Sequence, residues 1–107
     1  LTDLKSACNY YHGINIKLMK STGLREAYQM AVVAKTMGLK IMLGCMSETS
    51  CAIAAASQLG ALADWVDLDG NLGVINDPFH GHVVANGVIR LNNESGIGLV
   101  KPDWSSF

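Results

Sequence analysis

Two hydrophobic periods alternate along the amino-terminal part of the chain, and each predicts a different kind of element. A two-residue alternation over 14–19, where apolar side chains flank an asparagine and a lysine, predicts a short buried strand. Apolar residues at helical spacing over 24–37 predict an amphipathic helix. The same reasoning predicts strands over 39–43 and 65–69 and, from an Ala-rich run, a helix over 48–60.

The order of these elements predicts the fold class. With the end of a helix predicted over 1–11, the order is helix, strand, helix, strand, helix, strand, with short loops. Such alternation is typical of an α/β fold in which right-handed crossovers connect parallel strands. Glycine and proline then interrupt the pattern and predict loops and antiparallel strand. We therefore divide the chain into three βα units over 1–75 and a closing segment over 76–107.

The composition indicates that other protein covers part of this surface. The 107 residues are 50% hydrophobic and only 16% charged, whereas roughly 25% charged residues is usual in soluble domains. Coverage by further copies of the chain or by the rest of a larger fold would explain the difference, and we expect a homo-oligomer. Since the sequence does not begin with methionine, we also expect it to start inside a longer protein.

Charge and cysteine content narrow the possible partners and location. The net charge is −1 and no basic cluster is present, so nucleic acid is not an expected partner. No apolar run reaches the roughly 18 residues of a membrane span, so no membrane partner is expected either. Three cysteines, an odd number without Cys-x-x-Cys spacing, are typical of reduced thiols and favour a cytoplasmic protein.

Polar groups follow each of the three predicted strands. Lys17 ends the first strand, a Cys-Met-Ser-Glu run at 45–48 follows the second, and Asp67 and Asp69 end the third. The carboxyl ends of parallel strands lie at one edge of a sheet, where α/β proteins keep their chemistry. We therefore expect these groups to converge. Spacing alone leaves open that Lys17 extends into solvent or pairs with a carboxylate.

The motifs at these strand ends resemble those of a known family. Asn-Ile-Lys-Leu-Met-Lys-x-x-Gly at 15–23 resembles the sixth-strand lysine motif of the muconate-lactonizing-enzyme subgroup of the enolase superfamily. Gly-Cys-Met-Ser-Glu at 44–48 is similar to the seventh-strand end, and Asp-Leu-Asp-Gly at 67–70 to the eighth-strand Asp-x-Asp of the dipeptide epimerases. Asp-Pro-Phe at 77–79 and Gly-Ile-Gly-Leu at 96–99 resemble the segment that returns toward the capping domain.

This resemblance covers about residue 10 to residue 100 and implies a particular architecture and reaction. The chain would be the C-terminal portion of a (β/α)7β, TIM-like barrel whose capping domain and first five strands lie outside this sequence. The implied reaction is epimerisation of dipeptides of the Ala-Glu or Ala-Ala type. It proceeds by α-proton abstraction and reprotonation, assisted by Mg²⁺ whose ligands also lie outside this sequence.

The resemblance also implies a role for each candidate site residue. Lys17 would act as the acid or base on one face of the α-carbon. Asp67 and Asp69 would bind the free α-ammonium group of the dipeptide, and Cys45 and Ser47 would line the substrate pocket. None of these residues is expected to be a metal ligand.

Several alternatives remain open from the sequence. Another enzyme of the subgroup, namely a cycloisomerase, an N-acylamino-acid racemase or an o-succinylbenzoate synthase, would keep the lysine, and a non-catalytic half-barrel fragment is also possible. On spacing alone, the Asp-x-Asp pair equally fits a solvated turn or a metal site, and Cys45 and Ser47 fit a plain strand-to-helix turn. Glu48 is expected to cap the following helix. His80 and His82, without a third ligand, are not expected to bind zinc.

Overall fold

The structure is a computed structural model that describes residues 2–100. Three parallel strands form its centre. The sheet has the order β1-β2-β3, with α2 connecting the first pair and α3 the second. The predicted α/β alternation with parallel strands is therefore confirmed. The elements are α1 (Leu4–Ala7), β1 (Gly13–Lys17), α2 (Leu24–Thr36), β2 (Lys40–Gly44), α3 (Ser50–Ser57), β3 (Trp65–Asp67), β4 (Val83–Ala85) and β5 (Val88–Arg90), with 3-10 turns at Leu18–Lys20 and Gly60–Leu62.

One face of the sheet is buried under the helices. Ile16 of β1 pairs in register with Leu43 of β2, and these side chains and that of Ile41 are each only 1% exposed. Helix α2 packs on this face through small residues at helical spacing, and α3 contributes one larger side chain. The residues that these helices bury in the core are Ala27, Ala31, Ala34, Ile53 and Ala56. The alternation of β1 and β2 therefore leaves the opposite face free for polar side chains.

The predicted strand over 14–19 is two residues too long. The strand ends at Lys17, and Leu18–Lys20 form a 3-10 turn closed by the backbone N–H of Ser21, which lies 3.2 Å from the carbonyl oxygen of Leu18. Leu18 is buried in this turn, whereas Met19 is exposed. Buried Leu18 fits the alternating pattern although it lies beyond the strand. Periodicity alone therefore places the carboxyl end of β1 too late.

Three other predicted elements are shorter in the structure. Helix α3 covers Ser50–Ser57 within the predicted 48–60, because Gly60–Leu62 continue as a 3-10 turn. Strand β3 ends at Asp67 instead of residue 69, and the amino-terminal helix covers only Leu4–Ala7. None of the helices within residues 2–100 combines the length and hydropathy needed to cross a bilayer.

The closing segment forms an antiparallel hairpin of β4 and β5. Its two turn residues, Asn86 and Gly87, have φ values of 52° and 73°. Positive φ at both central positions is the geometry of the tight turn that matches the twist of paired strands, and Asn-Gly is its preferred sequence. His80 forms a further antiparallel bridge with Val100. Residues 101–107 of the predicted segment lie outside the described residues, and its packing toward a capping domain stays a prediction.

A polar cluster attaches this segment to the start of α3. Asp77 accepts hydrogen bonds from the backbone N–H groups of Ser50, at 2.5 Å, and of Phe79, at 3.0 Å. Asn71 donates to the hydroxyl of Ser50 and lies 3.3 Å from Nε2 of His82. Burial acts to raise the pKa of Asp77, but the hydrogen bonds from Ser50 and Phe79 outweigh it, so this pKa is lowered. Burial lowers the pKa of His82, and the charge of Asp77 opposes this only in part.

These two pKa shifts predict how stability depends on pH. His82 has a lower pKa in the folded state than its unfolded value of about 6.5. The unfolded chain therefore binds more protons as the pH falls through that value, and the free energy of unfolding decreases. Asp77 contributes a further loss only below about pH 4. Denaturant unfolding of the protein that carries this chain, at pH 7.5 and 5.5, measures the first effect.

The pH effect is assigned to His82 by substitution. His82→Gln should make the loss of stability between these two pH values smaller. His12→Gln, at an exposed position, should leave the loss as in the unsubstituted protein. An unchanged loss in the His82→Gln variant would contradict the assignment.

Candidate active site

A row of three residues crosses the carboxyl ends of the strands. Lys17, Gly44 and Asp67 are register partners on β1, β2 and β3. Residues in register in a parallel sheet point to the same face, here the face opposite the helix-covered core. The two outer Cα atoms are two strand spacings apart, about 10 Å. This strand-end row of Lys17, Gly44 and Asp67 therefore holds a cationic and an anionic side chain on either side of a glycine.

Lys17 is half-buried at the end of β1. Its Nζ lies 3.7 Å from Sδ of Met46, which follows β2. Within residues 2–100, no carboxylate forms an ion pair with Lys17; the ion pair that the structure records there, Lys40 with Asp64 at 2.7 Å, is at the opposite ends of the strands. The ammonium group thus lies beside a thioether on the open face of the sheet.

Asp67 and Asp69 flank a buried residue. Leu68 is 4% exposed and packs in the core, whereas the aspartates on either side are exposed. Since side chains alternate along an extended segment, burial of the central leucine turns both carboxylates toward the other face. The predicted arrangement of two carboxylates on one side of the third strand end agrees with this burial pattern, while their role stays a prediction.

Cys45 connects the ends of β2 and β3. Its Sγ accepts a hydrogen bond from the backbone N–H of Gly70 at 3.2 Å and lies 3.4 Å from the carbonyl oxygen of Asp67. It is also 3.8 Å from Oδ1 of Asp69. Burial raises the pKa of the Cys45 thiol, and the negative charges of Asp69 and Asp67 act in the same direction. The thiol is therefore protonated at neutral pH and links the loop after β2 to the Asp-x-Asp segment.

Glu48 does not cap α3, so that prediction is wrong. Its Oε1 accepts a hydrogen bond from the backbone N–H of Met46 at 2.8 Å, two residues back in the loop. The N-cap position is Thr49, and the first backbone N–H of the helix, that of Ser50, is bound by Asp77 from the closing segment. Glu48 thus stabilises the turn at 45–48 that follows β2.

The remaining candidate residues are exposed or belong to other parts of the structure. Ser47 and Lys20 are exposed, and Ser47 stays a predicted pocket residue. His82 belongs to the polar cluster at α3, while His80 is exposed in the closing segment. Among residues 2–100, no group of three or more His, Cys, Asp or Glu side chains lies close enough together to hold a metal ion. The described residues therefore do not by themselves fit a magnesium site.

A cavity of about 450 Å³ lies beside β3, between the Asp-x-Asp segment and the closing hairpin. Its walls include Asp67 and Asp69 together with apolar residues of the hairpin such as Val84 and Ile89. Lys17 is not among its lining residues. The cavity thus adjoins one end of the strand-end row without containing the lysine.

The structure brings together Asn15 and Gly44, two residues for which no site role is predicted from the sequence. A Cβ atom built on Gly44 would lie 2.6 Å from Oδ1 of Asn15. Asn15 lies two residues before Lys17 on the same strand, so the two side chains share a face. Nothing in the sequence indicated that Asn15 reaches across to the neighbouring strand.

Comparison with known proteins identifies the class of fold. No protein-family model matches the chain. The structure superposes with a TM-score of 0.86 on a dipeptide epimerase from Methylococcus capsulatus complexed with Mg and the dipeptide L-Arg-D-Lys, at 33% identity, covering 94% of this chain and 30% of that one. The fold is thus that of a segment of the α/β barrel proteins of the enolase superfamily, and the predicted TIM-like barrel origin is confirmed.

Sequence comparison narrows the resemblance within that superfamily. The chain is 52% identical over 101 residues to L-Ala-D/L-Glu epimerase from Bacteroides thetaiotaomicron, covering 94% of this chain and 26% of that protein. It is also 46% identical over 85 residues to N-acetyl-D-glutamate racemase from a Pseudoalteromonas species, covering 79% and 27%. The predicted resemblance to the dipeptide epimerases of the enolase superfamily is confirmed. The chain spans about a quarter of the length of these curated relatives.

The contact between the two loops predicts the effect of adding one methyl group. A Cβ atom on Gly70 would lie 1.9 Å from the carbonyl oxygen of Met46, whereas a Cβ on Gly73 meets nothing within 4 Å. Gly70→Ala forces two backbone segments apart, and we expect it to lower the free energy of unfolding by about 1–3 kcal/mol. Gly73→Ala, the matched control, should change it by less than about 0.5 kcal/mol. Equal effects in denaturant unfolding would contradict the close contact.

Proposed function

We propose that the protein to which this chain belongs is a dipeptide epimerase. The observation that carries the proposal is the strand-end row, in which Lys17 and Asp67 lie in register on either side of Gly44. It is supported by the identity of 52% with a relative named L-Ala-D/L-Glu epimerase. The proposed substrates are small dipeptides of the Ala-Glu or Ala-Ala type, and the centre that inverts is the α-carbon of the second residue.

In this proposal Lys17 exchanges a proton with the substrate α-carbon. Inversion needs one group that removes the proton from one face and another that delivers a proton to the opposite face. As the free amine, Lys17 would take the proton; as the ammonium, it would return one. The second acid/base group would come from a part of the protein outside this sequence. The open, half-buried position of Lys17 at a strand end is compatible with this role.

Asp67 and Asp69 would bind the α-ammonium group of the dipeptide. In an extended dipeptide this nitrogen is about 5 Å from the α-carbon of the second residue, and the row spans about 10 Å between Cα atoms. The lysine side chain can cover much of the remaining distance, and the shorter aspartate side chains the rest. Charge-assisted hydrogen bonds at this end would favour substrates with a free amino group.

Magnesium and the pocket walls complete the proposal. The dipeptide epimerase from Methylococcus capsulatus forms a complex with Mg. From the resemblance to the enolase superfamily, we propose that the Mg²⁺ ligands lie on strands outside the 107 residues. Residues 2–100 hold no group of three candidate ligands. Cys45 and Ser47 would form the wall of the substrate pocket next to the two aspartates.

A second candidate function is racemisation of N-acylamino acids. The identity of 46% with N-acetyl-D-glutamate racemase favours it. An N-acyl group carries no positive charge, so Asp67 and Asp69 would then lack a cation to bind. Two exposed carboxylates with no other assigned role therefore favour the dipeptide over the N-acylamino acid.

Removal of the amino group at residue 17 should stop the reaction. In the full-length enzyme with magnesium, Lys17→Ala should lower the epimerisation rate of L-Ala-L-Glu by about 10²- to 10⁴-fold or more, because proton transfer loses its acid/base group. Lys20→Ala, three residues away and exposed, should retain turnover. Polarimetry or chiral chromatography measures both. Normal turnover by the Lys17→Ala variant would exclude this catalytic role.

Removal of one charge at the proposed ammonium site should change selectivity. Asp69→Asn should lower kcat/KM for dipeptides by about tenfold to a hundredfold, the cost of one charge-assisted hydrogen bond. Any activity on N-acylamino acids should fall much less, because these substrates have no ammonium group. Glu94→Gln, an exposed carboxylate in the closing segment, is the control. A proportional loss on both substrates by Asp69→Asn would argue against ammonium binding.

A further inference from the structure

The side chain of Asn15 occupies the space above Gly44. The built Cβ position on Gly44 lies 2.6 Å from Oδ1, 3.1 Å from Nδ2 and 3.2 Å from Cγ of Asn15. The whole carboxamide group of β1 therefore stands where a side chain of β2 at position 44 would stand. A residue larger than glycine at this position would have to displace it.

This contact changes the chemical character of the strand-end row. Gly44 is the register partner of both Lys17 and Asp67. With the carboxamide of Asn15 above it, the row presents an ammonium, a carboxamide and a carboxylate in that order. The sheet thus offers a neutral hydrogen-bonding group midway between two opposite charges.

The Asn15 carboxamide has hydrogen-bonding capacity left for a ligand. Asn15 is exposed, and its side chain forms no hydrogen bond with another residue of the described part of the chain. A carboxamide offers two N–H donors and one carbonyl acceptor. By contrast, Asn71 and Asn92, elsewhere in the described structure, use their side chains to bind protein groups.

We propose that Asn15 is a substrate-binding residue that recognises the peptide group of the dipeptide. This inference rests on the proposed function. With the α-ammonium group at Asp67 and Asp69 and the reacting α-carbon at Lys17, the peptide bond lies over the middle of the row. The N–H donor and C=O acceptor of a trans peptide point in opposite directions, and the Asn15 carboxamide, which has both kinds of group, can pair with whichever of the two faces it. Gly44 is then required because it leaves room for the Asn15 carboxamide.

The same geometry assigns a linked role to Gly44. Gly44→Ala introduces a methyl group into the volume of the Asn15 carboxamide, so it should reproduce the effect of removing that carboxamide. Two substitutions on neighbouring strands that disable one group should not add, because the second removes nothing further. Met42, the register partner of Asn15 on β2, provides a matched control position on the same face of the sheet.

The experiment compares a dipeptide with its ester analogue, in which oxygen replaces the peptide N–H. The full-length enzyme with magnesium is assayed for α-proton exchange on L-Ala-L-Glu and on the corresponding depsipeptide. The ester removes the donor and weakens the acceptor, so the unsubstituted enzyme should prefer the peptide. Asn15→Leu, which has the same branching at Cγ but cannot form hydrogen bonds, should reduce this preference by about tenfold.

The controls separate peptide recognition from loss of structure. Asn15→Ser and Gly44→Ala should also reduce the preference, and the Asn15→Leu, Gly44→Ala double variant should reduce it no further. Met42→Leu should leave it unchanged. A ratio of two rates measured on one enzyme sample does not depend on the fraction that is folded.

Two outcomes would overturn the inference, and they are distinguishable. In the first, the unsubstituted enzyme exchanges the α-proton of dipeptides, but Asn15→Leu lowers the rates on the dipeptide and the depsipeptide by the same factor. Asn15 then does not recognise the peptide group, while the proposed function stands. If the unsubstituted enzyme exchanges neither substrate, the proposed function fails and the inference fails with it.

Discussion

The register of the parallel sheet is the constraint on which the site depends. Burial of Ile16, Ile41 and Leu43 beneath the helices fixes which residues face the core. A shift of one residue between two strands would turn a whole set of side chains to the wrong face, at the cost of this burial. The same register aligns Lys17, Gly44 and Asp67 on the opposite face. The hydrophobic side of the sheet therefore positions the polar side.

Close contacts between backbones then determine how the strand ends fit together. Gly70 packs against the carbonyl oxygen of Met46, and its N–H donates to the sulfur of Cys45. Gly44 admits the side chain of Asn15 from the neighbouring strand. At both positions the absence of a Cβ atom lets a polar group approach where a side chain would exclude it. These glycines thus shape the surface on which the proposed substrate would lie.

The elements and their order could be predicted from the sequence because they depend on local periodicity. The sequence did not give the end of β1, since buried Leu18 fits a strand as well as the turn that it occupies. The role expected for Glu48 was wrong because Asp77, 27 residues after Ser50, binds the helix terminus instead. Lys17, Asp67 and Asp69 were singled out by their positions at strand ends. Asn15 received no role, because its contact with Gly44 joins two strands and leaves no local pattern.

The most direct test of the account is hydrogen exchange at the substrate α-carbon. The full-length protein would be incubated with magnesium and a mixture of dipeptides in deuterated buffer, and the mixture analysed by mass spectrometry. We expect one deuterium to enter the second residue of Ala-Xaa dipeptides, with both configurations appearing over time. Exchange confined to N-acylamino acids, or no exchange in any dipeptide, would contradict the proposed dipeptide epimerase activity.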